Sequence, residues 1–565
     1  SYFRVPSLKS VFIQCSNLSS YTVTFIEAKR TRTYERVSSA VRGDVDGGGG
    51  GGNGGNTGGG GGGGDGGFEY FSADRSMKIV PLGIALTVSF ISAITLLGIS
   101  AEIYVHGVIF MFFYVGFFVG TPISMYCYLP VFFELKLMSV FEYIERRFGV
   151  RARLLASIAN LCHMTVHTGI VLFAPSLALE ATTGLSSTLS IILIGVICTF
   201  YSTIGGIKAV LITDVFQAML MFLSLLCIIG LGSNSLPNGF YDVWDRSMSG
   251  HRIFFNEKLR DSRIAVLLNL LIISILSLMT ILSGLVMYAV YKECDPVKSE
   301  KISSSDKLMP YFVVDKLGHI PGLTGVFVAG VFSASLSTIS AMLNSLAAVI
   351  LEDYIKPIYS KIGATFPNEK ATLIGKMLAI MNGVTCVCIA LGASKFGSLI
   401  QAVIALTGII GGPLLGIFTL GMFFESPNEI GAIVGMIISI ILLCLMAYGP
   451  KEDITTLPVS IDGCENGTLP MLNETIELNT TISNDSSVPF INRVSYIWYS
   501  MIGSVLTIII GFSISLIAKK FVDNTREHNP NLFVPFVAAR IKRRRRKEEM
   551  VTSSQMFVLE PSCRN

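Results

Sequence analysis

An all-α polytopic membrane protein with about 11 transmembrane helices is the fold class this sequence predicts, on three observations. Of 565 residues, 51% are hydrophobic and only 15% charged, and the net charge of +4 is small. That is the composition of a chain whose solvent is largely lipid. Apolar stretches recur along it, each near the roughly 20 residues that a helix needs to cross a bilayer. Lys and Arg gather in particular linkers, and their placement carries more information than their sum.

Residues 1–67 precede the first span and read as a disordered tail, ending in a glycine run over 43–67. Polyglycine loses maximal backbone entropy on ordering and has no side chains to bury. The chain starts at Ser1, and its first apolar stretch, Val11 to Phe25, is broken by Gln14, Ser16, Asn17, Ser19 and Ser20. It makes a poor signal peptide, so the natural amino terminus is expected upstream. Spans are predicted at 79–100, 107–133, 154–179, 185–205, 209–232, 264–291, 322–351, 372–394, 396–424, 430–449 and 495–518. They divide into a five-helix unit over 68–232, a polar junction over 233–263, four helices over 264–424, and two further helices over 425–518. Residues 519–565 form a basic tail.

Orientation can be counted from each end. Four N-glycosylation sequons, at Asn466, Asn473, Asn479 and Asn484, crowd the 450–492 linker and suggest an extracellular, glycosylated loop. The run Arg540, Lys542, Arg543, Arg544, Arg545, Arg546 and Lys547 then puts the carboxyl terminus in the cytoplasm. Counting back, the 264–291 span starts inside. From the other end, Lys136, Arg146, Arg147, Arg151 and Arg153 mark a cytoplasmic linker, and Lys208 agrees, so the fifth span ends outside near Gly232. The two counts clash. Residues 233–263, with Asp242, Asp245, Arg246, Arg252, Glu257, Lys258 and Arg260, are too polar to cross, so one crossing is missing from the middle of the chain. A misread span is the alternative.

No nucleophile–base pair, Walker A loop or metal cluster is evident, which argues against an enzyme or an ATP-driven pump. The segment 201–217, YSTIGGIKAVLITDVFQ, resembles the signature of the sodium/solute symporter family. So do SASLSTISAMLN at 333–344 and LEDYIKP at 351–357. Cys294-Asp-Pro and the DKLMPY segment at 306–311 are similar to the branch of sodium-coupled monocarboxylate, sodium-dependent multivitamin and iodide symporters. The resemblance covers about 68–525 and is specific to the family, not to a substrate. It implies a leucine-transporter-type core of two inverted five-helix repeats, with substrate and sodium at broken helices near the midplane. Against that pattern the chain lacks the family's amino-terminal helix before Phe68 and the first, substrate-lining helix of the second repeat. Charge counting finds that second gap by a separate route.

The resemblance implies a sodium site, sodium being the only metal expected and no other cofactor. Val88, Ile91 and Ala334 would supply backbone carbonyls, and Ser337 and Thr338 side-chain oxygens. The plainer reading of Ser333 to Ser340 is a small-residue face for close helix packing. Asp214, at the matching position of a second sodium or exit site, is otherwise a near-interface carboxylate beside Lys208. Thr95, Glu102, His163, His167, Asn344 and Gln401 are candidates for the substrate pathway. His163 and His167 share one helix face, although the amides Asn344 and Gln401 more often tie helices together. Cys294 and Cys464, both expected outside, are a candidate disulfide.

The expected function is sodium-coupled symport of a small organic anion across the plasma membrane. A monocarboxylate, or a vitamin such as biotin or pantothenate, fits the branch. The partners are the solute, sodium and the lipid bilayer, with no nucleic acid. A non-transporting or incomplete member of the family is the alternative, and a halide such as iodide a further one.

Overall fold

The computed structural model describes residues 91–559 apart from 108–119, 121, 136–139, 251–263, 364–365, 368–369, 394–397, 450–456, 458, 462, 465–493 and 521–528. Val88 and the four sequon asparagines lie outside the described residues. Among those described, the regular elements are all helical.

The first described helix, α1 (Ala93–His106), does not continue from the preceding residues: Ser92 is extended, at φ −94° and ψ 173°. The predicted 79–100 span is therefore corrected. Its residues 79–90 lie outside the described residues, and its described helix starts only at Ala93, after the extended Ser92, and runs on to His106. A π turn (Ser124–Tyr128) leads to α2 (Leu129–Leu135), followed by the amphipathic α3 (Val140–Arg147). The long α4 (Val150–Thr183) starts after Gly149 and stops at Gly184, whose left-handed φ of 72° lets its N–H cap the Glu180 carbonyl.

Next, α5 (Ser187–Asn234) is helical for 48 residues. The Tyr201 hydroxyl nevertheless hydrogen-bonds Thr213 Oγ1. Twelve residues of straight helix would separate them by ~18 Å, beyond the reach of these side chains. The helix must turn back between them. Its two limbs, Ser187–Ile204 and Thr213–Asn234, match the two spans predicted there.

Beyond it come α6 (Phe240–Ser249), α7 (Ile264–Tyr291), α8 (Leu308–Leu317), α9 (Leu323–Ile350), α10 (Lys356–Lys361) and α11 (Ala371–Gly392). One further span is built from α12 (Leu399–Leu406), a π turn (Thr407–Gly411) and α13 (Gly412–Phe423). The last helices are α14 (Glu429–Tyr448), α15 (Tyr499–Ala518) and α16 (Pro535–Leu559). Eight described helices are long and apolar enough to span a membrane, while α1 and the 275–291 part of α7 are apolar but shorter. Of the predicted 107–133 span, residues 108–119 and 121 fall outside the described residues.

Large apolar side chains face outward on α5, α11, α14 and α15, including Phe200, Phe216, Met219, Met377, Leu445 and Ile509. In water such a surface would aggregate; against acyl chains it is the expected exterior.

The bundle has two polar ends. At one, Cys294 and Cys464 form a disulfide. The paired bonds Asp295 N–H to Ser460 O (3.0 Å) and Gly463 N–H to Glu293 O (2.9 Å) fasten the same two segments. At the other end, the Arg147 guanidinium is buried and donates to the carbonyls of Gly421, Phe424, Glu425 and Pro427 at 2.8–3.3 Å. The start of the tail docks beside it. Leu532, Phe533, Val534, Val537 and Ile541 are buried with Phe132, Phe141, Tyr143 and Phe418. Arg544 meets Glu425 at 3.0 Å.

One contact bears on chain direction. Arg246 of α6, just past the second limb of α5, donates to Ala289 O near the end of α7 at 3.1 Å. The ends of both spans therefore lie at the disulfide end. The start of α7, 25 residues back from Ala289, is ~38 Å away along the helix axis. Only residues 251–263 link Gly250 to that start, fewer than the roughly 20 of a crossing helix.

Candidate functional site

The hydroxyl-rich face of α9 lies in the centre of the bundle. Ser333, Ala334, Ser335, Ser337, Thr338 and Ser340 are all buried, and α9 packs against α1, α4 and α5. Small side chains permit that approach: a Cβ added to Gly330 would meet Ser224 Cβ at 2.5 Å. Packing alone does not use the hydroxyls equally. Thr338 Oγ1 donates back to Ala334 O at 3.2 Å and Ser340 Oγ to Ser337 O at 3.1 Å. Ser337 Oγ and Ser335 Oγ are fully buried and make no hydrogen bond. A buried hydroxyl left unsatisfied costs roughly 1–3 kcal/mol, a penalty that a bound cation would remove. Ala334 O keeps a lone pair, and Ile91, buried where the backbone is extended, has no helical successor to claim its carbonyl. This donor set of carbonyls and hydroxyls suits a hard monovalent cation.

One turn along, a second cluster forms. Asp214 is buried in the first turn of the second α5 limb. The Tyr201 hydroxyl, bonded to Thr213, also reaches Ser340 on α9 and sits within electrostatic range of Asp214. Gln217 Oε1 is buried without a hydrogen bond, and Asn344 donates to Ser340 O at 3.0 Å while its Oδ1 makes none. Tyr201, Thr213, Gln217 and Ser340 were missed in the sequence. The three-residue spacings from Asp214 to Gln217 and Ser337 to Ser340 were the available signal. The side chain of Lys208 falls outside the described residues.

The remaining candidates separate. His163 Nε2 is 3.3 Å from Thr407 Oγ1, on the π turn between α12 and α13. The His163 and His167 rings are 6.1 Å apart, and Nδ1 of each is buried without a partner. Thr407 is a further residue not singled out beforehand; π turns frequently mark functional positions. Thr95 Oγ1 accepts Ser92 N–H at 3.3 Å and so helps start α1. Asn344 bonds its own helix rather than a neighbour, and Gln401 is half-buried, not fully buried as its setting suggested. Glu102 stands apart, at the disulfide end, where Tyr496 donates to it at 2.8 Å.

The sequence model of the sodium:solute symporter family matches residues 70–252 and 243–439. The chain belongs to this family. Among its relatives, a Drosophila melanogaster protein named as a sodium-dependent multivitamin transporter is 38% identical, over 86% of this chain and 89% of its own. Sodium-coupled monocarboxylate transporter 1 of Mus musculus is 33% identical over 79% and 82%. These relatives of the symporter are transporters, not enzymes. A solved Na+-coupled sialic acid symporter superposes with a TM-score of 0.60 at 20% identity, covering 91% of this chain and 98% of that one. The fold is thus the leucine-transporter type. The Drosophila match runs over 537 residues but uses only 86% of the 565 here, leaving roughly fifty positions with no counterpart in this symporter. The family's two matched segments meet at 243–252, beside the short link that precedes α7.

Proposed function

We propose that this symporter couples inward sodium flow to uptake of a small organic anion by alternating access, in the plasma membrane with the basic end cytoplasmic. The observation that carries this reading is the buried Ser337 hydroxyl, unbonded among the described residues, beside Thr338 and Ala334 O, on a helix packed against the one that starts after the extended Ser92. Ile91, Ala334, Ser337 and Thr338 would hold the first sodium, with Val88 the fifth ligand. Asp214, with Tyr201 and Ser340, would hold a second or mark the exit. Sodium couples transport only by binding one conformation better than another. Two imidazoles with unoccupied Nδ1 atoms, His163 and His167, leave hydrogen-bonding capacity for a polar solute, and the multivitamin and monocarboxylate transporters among the relatives support an organic acid over a halide. The experiment is uptake of labelled pyruvate, biotin and iodide by cells expressing the chain, in sodium and in choline buffer. Uptake of an organic anion in sodium alone is expected; equal uptake in choline would reject the coupling.

A second reading is favoured by the α6–α7 geometry: the chain as written lacks one crossing and does not transport. Inserting a segment of ~50 residues that includes a ~20-residue apolar helix between Phe255 and Glu257 should then restore uptake. Uptake already complete without it would overturn this reading.

A further inference from the structure

We propose that Asp306 and Glu102 together form a binding site for a single proton at the disulfide end of the bundle. Four segments distant in sequence meet there. Asp306 lies in the turn Ser305–Lys307 and is buried. Its Oδ2 accepts the Leu399 N–H at 3.1 Å, capping the start of α12 from outside that helix, while its Oδ1 is buried and makes no hydrogen bond. Glu102, on the last turns of α1, is also buried, and its charge acts on Asp306. It receives one hydrogen bond, from the hydroxyl of Tyr496 just before α15.

The cations nearby do not neutralise this pair. Lys307 is committed to Glu180 of α4 at 3.2 Å. His106 reaches Glu102 only at 3.9 Å, and counts as a cation only when protonated. The 305–307 turn packs directly on α1, and two carboxylates removed from water within electrostatic reach of one another cannot both ionise without cost. One proton removes the repulsion and gives the unbonded Asp306 oxygen a donor's role. A metal is the poorer occupant, because no group of three metal-ligating side chains gathers among the described residues.

The electrostatics agree with the geometry. Burial, opposed by the Leu399 N–H and assisted by Glu102, raises Asp306 from the ordinary carboxylate value to about 6. The sign follows. A carboxyl that holds its proton more tightly in this arrangement than in one open to water favours this arrangement as pH falls. The gain builds as pH falls from about 6 to the ordinary carboxylate value near 4, and is absent well above pH 6. External acid should therefore hold α1, the 305–307 turn and the start of α12 together.

The test is infrared titration of the protonated-carboxyl stretch in the purified full-length chain from pH 7.5 to 4.5. We expect one buried carboxyl to take up a proton near pH 6, a signal lost in Asp306→Asn. That variant keeps an oxygen for the Leu399 N–H. Glu102→Gln, which removes the neighbouring charge, should move the midpoint to lower pH. Tyr496→Phe, which removes the bond stabilising the Glu102 anion, should move it higher. A band that survives Asp306→Asn, a midpoint indifferent to Glu102→Gln, or no carboxyl titrating above pH 5 would each overturn the proposal. The last two variants leave the Asp306 cap in place, so a folding defect in Asp306→Asn does not blunt the test.

Discussion

Ser337→Ala is expected to weaken sodium binding about tenfold or more, ~1.4 kcal/mol, without destabilising the sodium-free protein. The hydroxyl it removes is buried and bonded to nothing among the described residues, so its loss relieves an unsatisfied group. A cation that binds only the folded state stabilises it by RT ln(1 + L/Kd), where L is its concentration, so the melting temperature climbs as L rises past Kd. Thermal unfolding of the purified chain in sodium and in choline therefore reads the site without knowledge of the solute. Wild-type protein should gain stability with sodium, and Ser337→Ala should need far more sodium for the same gain. Thr338→Ala should behave alike and Thr338→Ser should recover, since serine keeps the oxygen. If the hydroxyls serve only packing, the sodium dependence will be the same in all four proteins.

The largest loss of stability is expected from Arg147→Ala. Five N–H donors of one guanidinium are the means by which the end of α13 and the turn after it, through Gly421, Phe424, Glu425 and Pro427, find partners. The same group lies 5.0 Å over the Phe148 ring and 5.1 Å over Phe533. Truncation strands buried carbonyls and opens the seat of the tail, a loss of roughly 3–5 kcal/mol. Arg147→Lys should recover little, because an ammonium cannot fork between several carbonyls. Detergent-solubilised yield and unfolding temperature will read the first effect, and limited proteolysis near Leu532 the second. A variant as stable as wild type would show that water satisfies those carbonyls.

Much of the architecture was legible because a membrane span is specified by length and polarity, both of which survive in a one-dimensional record. The limbs of α5, α9, α11, α14 and α15 sit where apolar length put them. Charge placement also put the ends of the second α5 limb and of α7 on one side, where Arg246 meets the Ala289 carbonyl. The centre of the site was harder. Ser337 and Thr338 stood out only through a family pattern, because a hydroxyl face for packing and one for an ion are spelled alike. Tyr201, Thr213 and Ser340 converge only after α5 turns back on itself, a contact that no local spacing encodes. Arg147 looked like one of several side-marking charges; that it is buried as a cap depends on segments nearly 280 residues away.

The covalent link at Cys464 has a consequence for the disulfide end of the bundle. All four sequons fall between it and Tyr496, whose hydroxyl is moored to Glu102. The chain is therefore held on both sides of the 465–493 segment, so that reduction of the disulfide alone would leave the far side still moored through Tyr496.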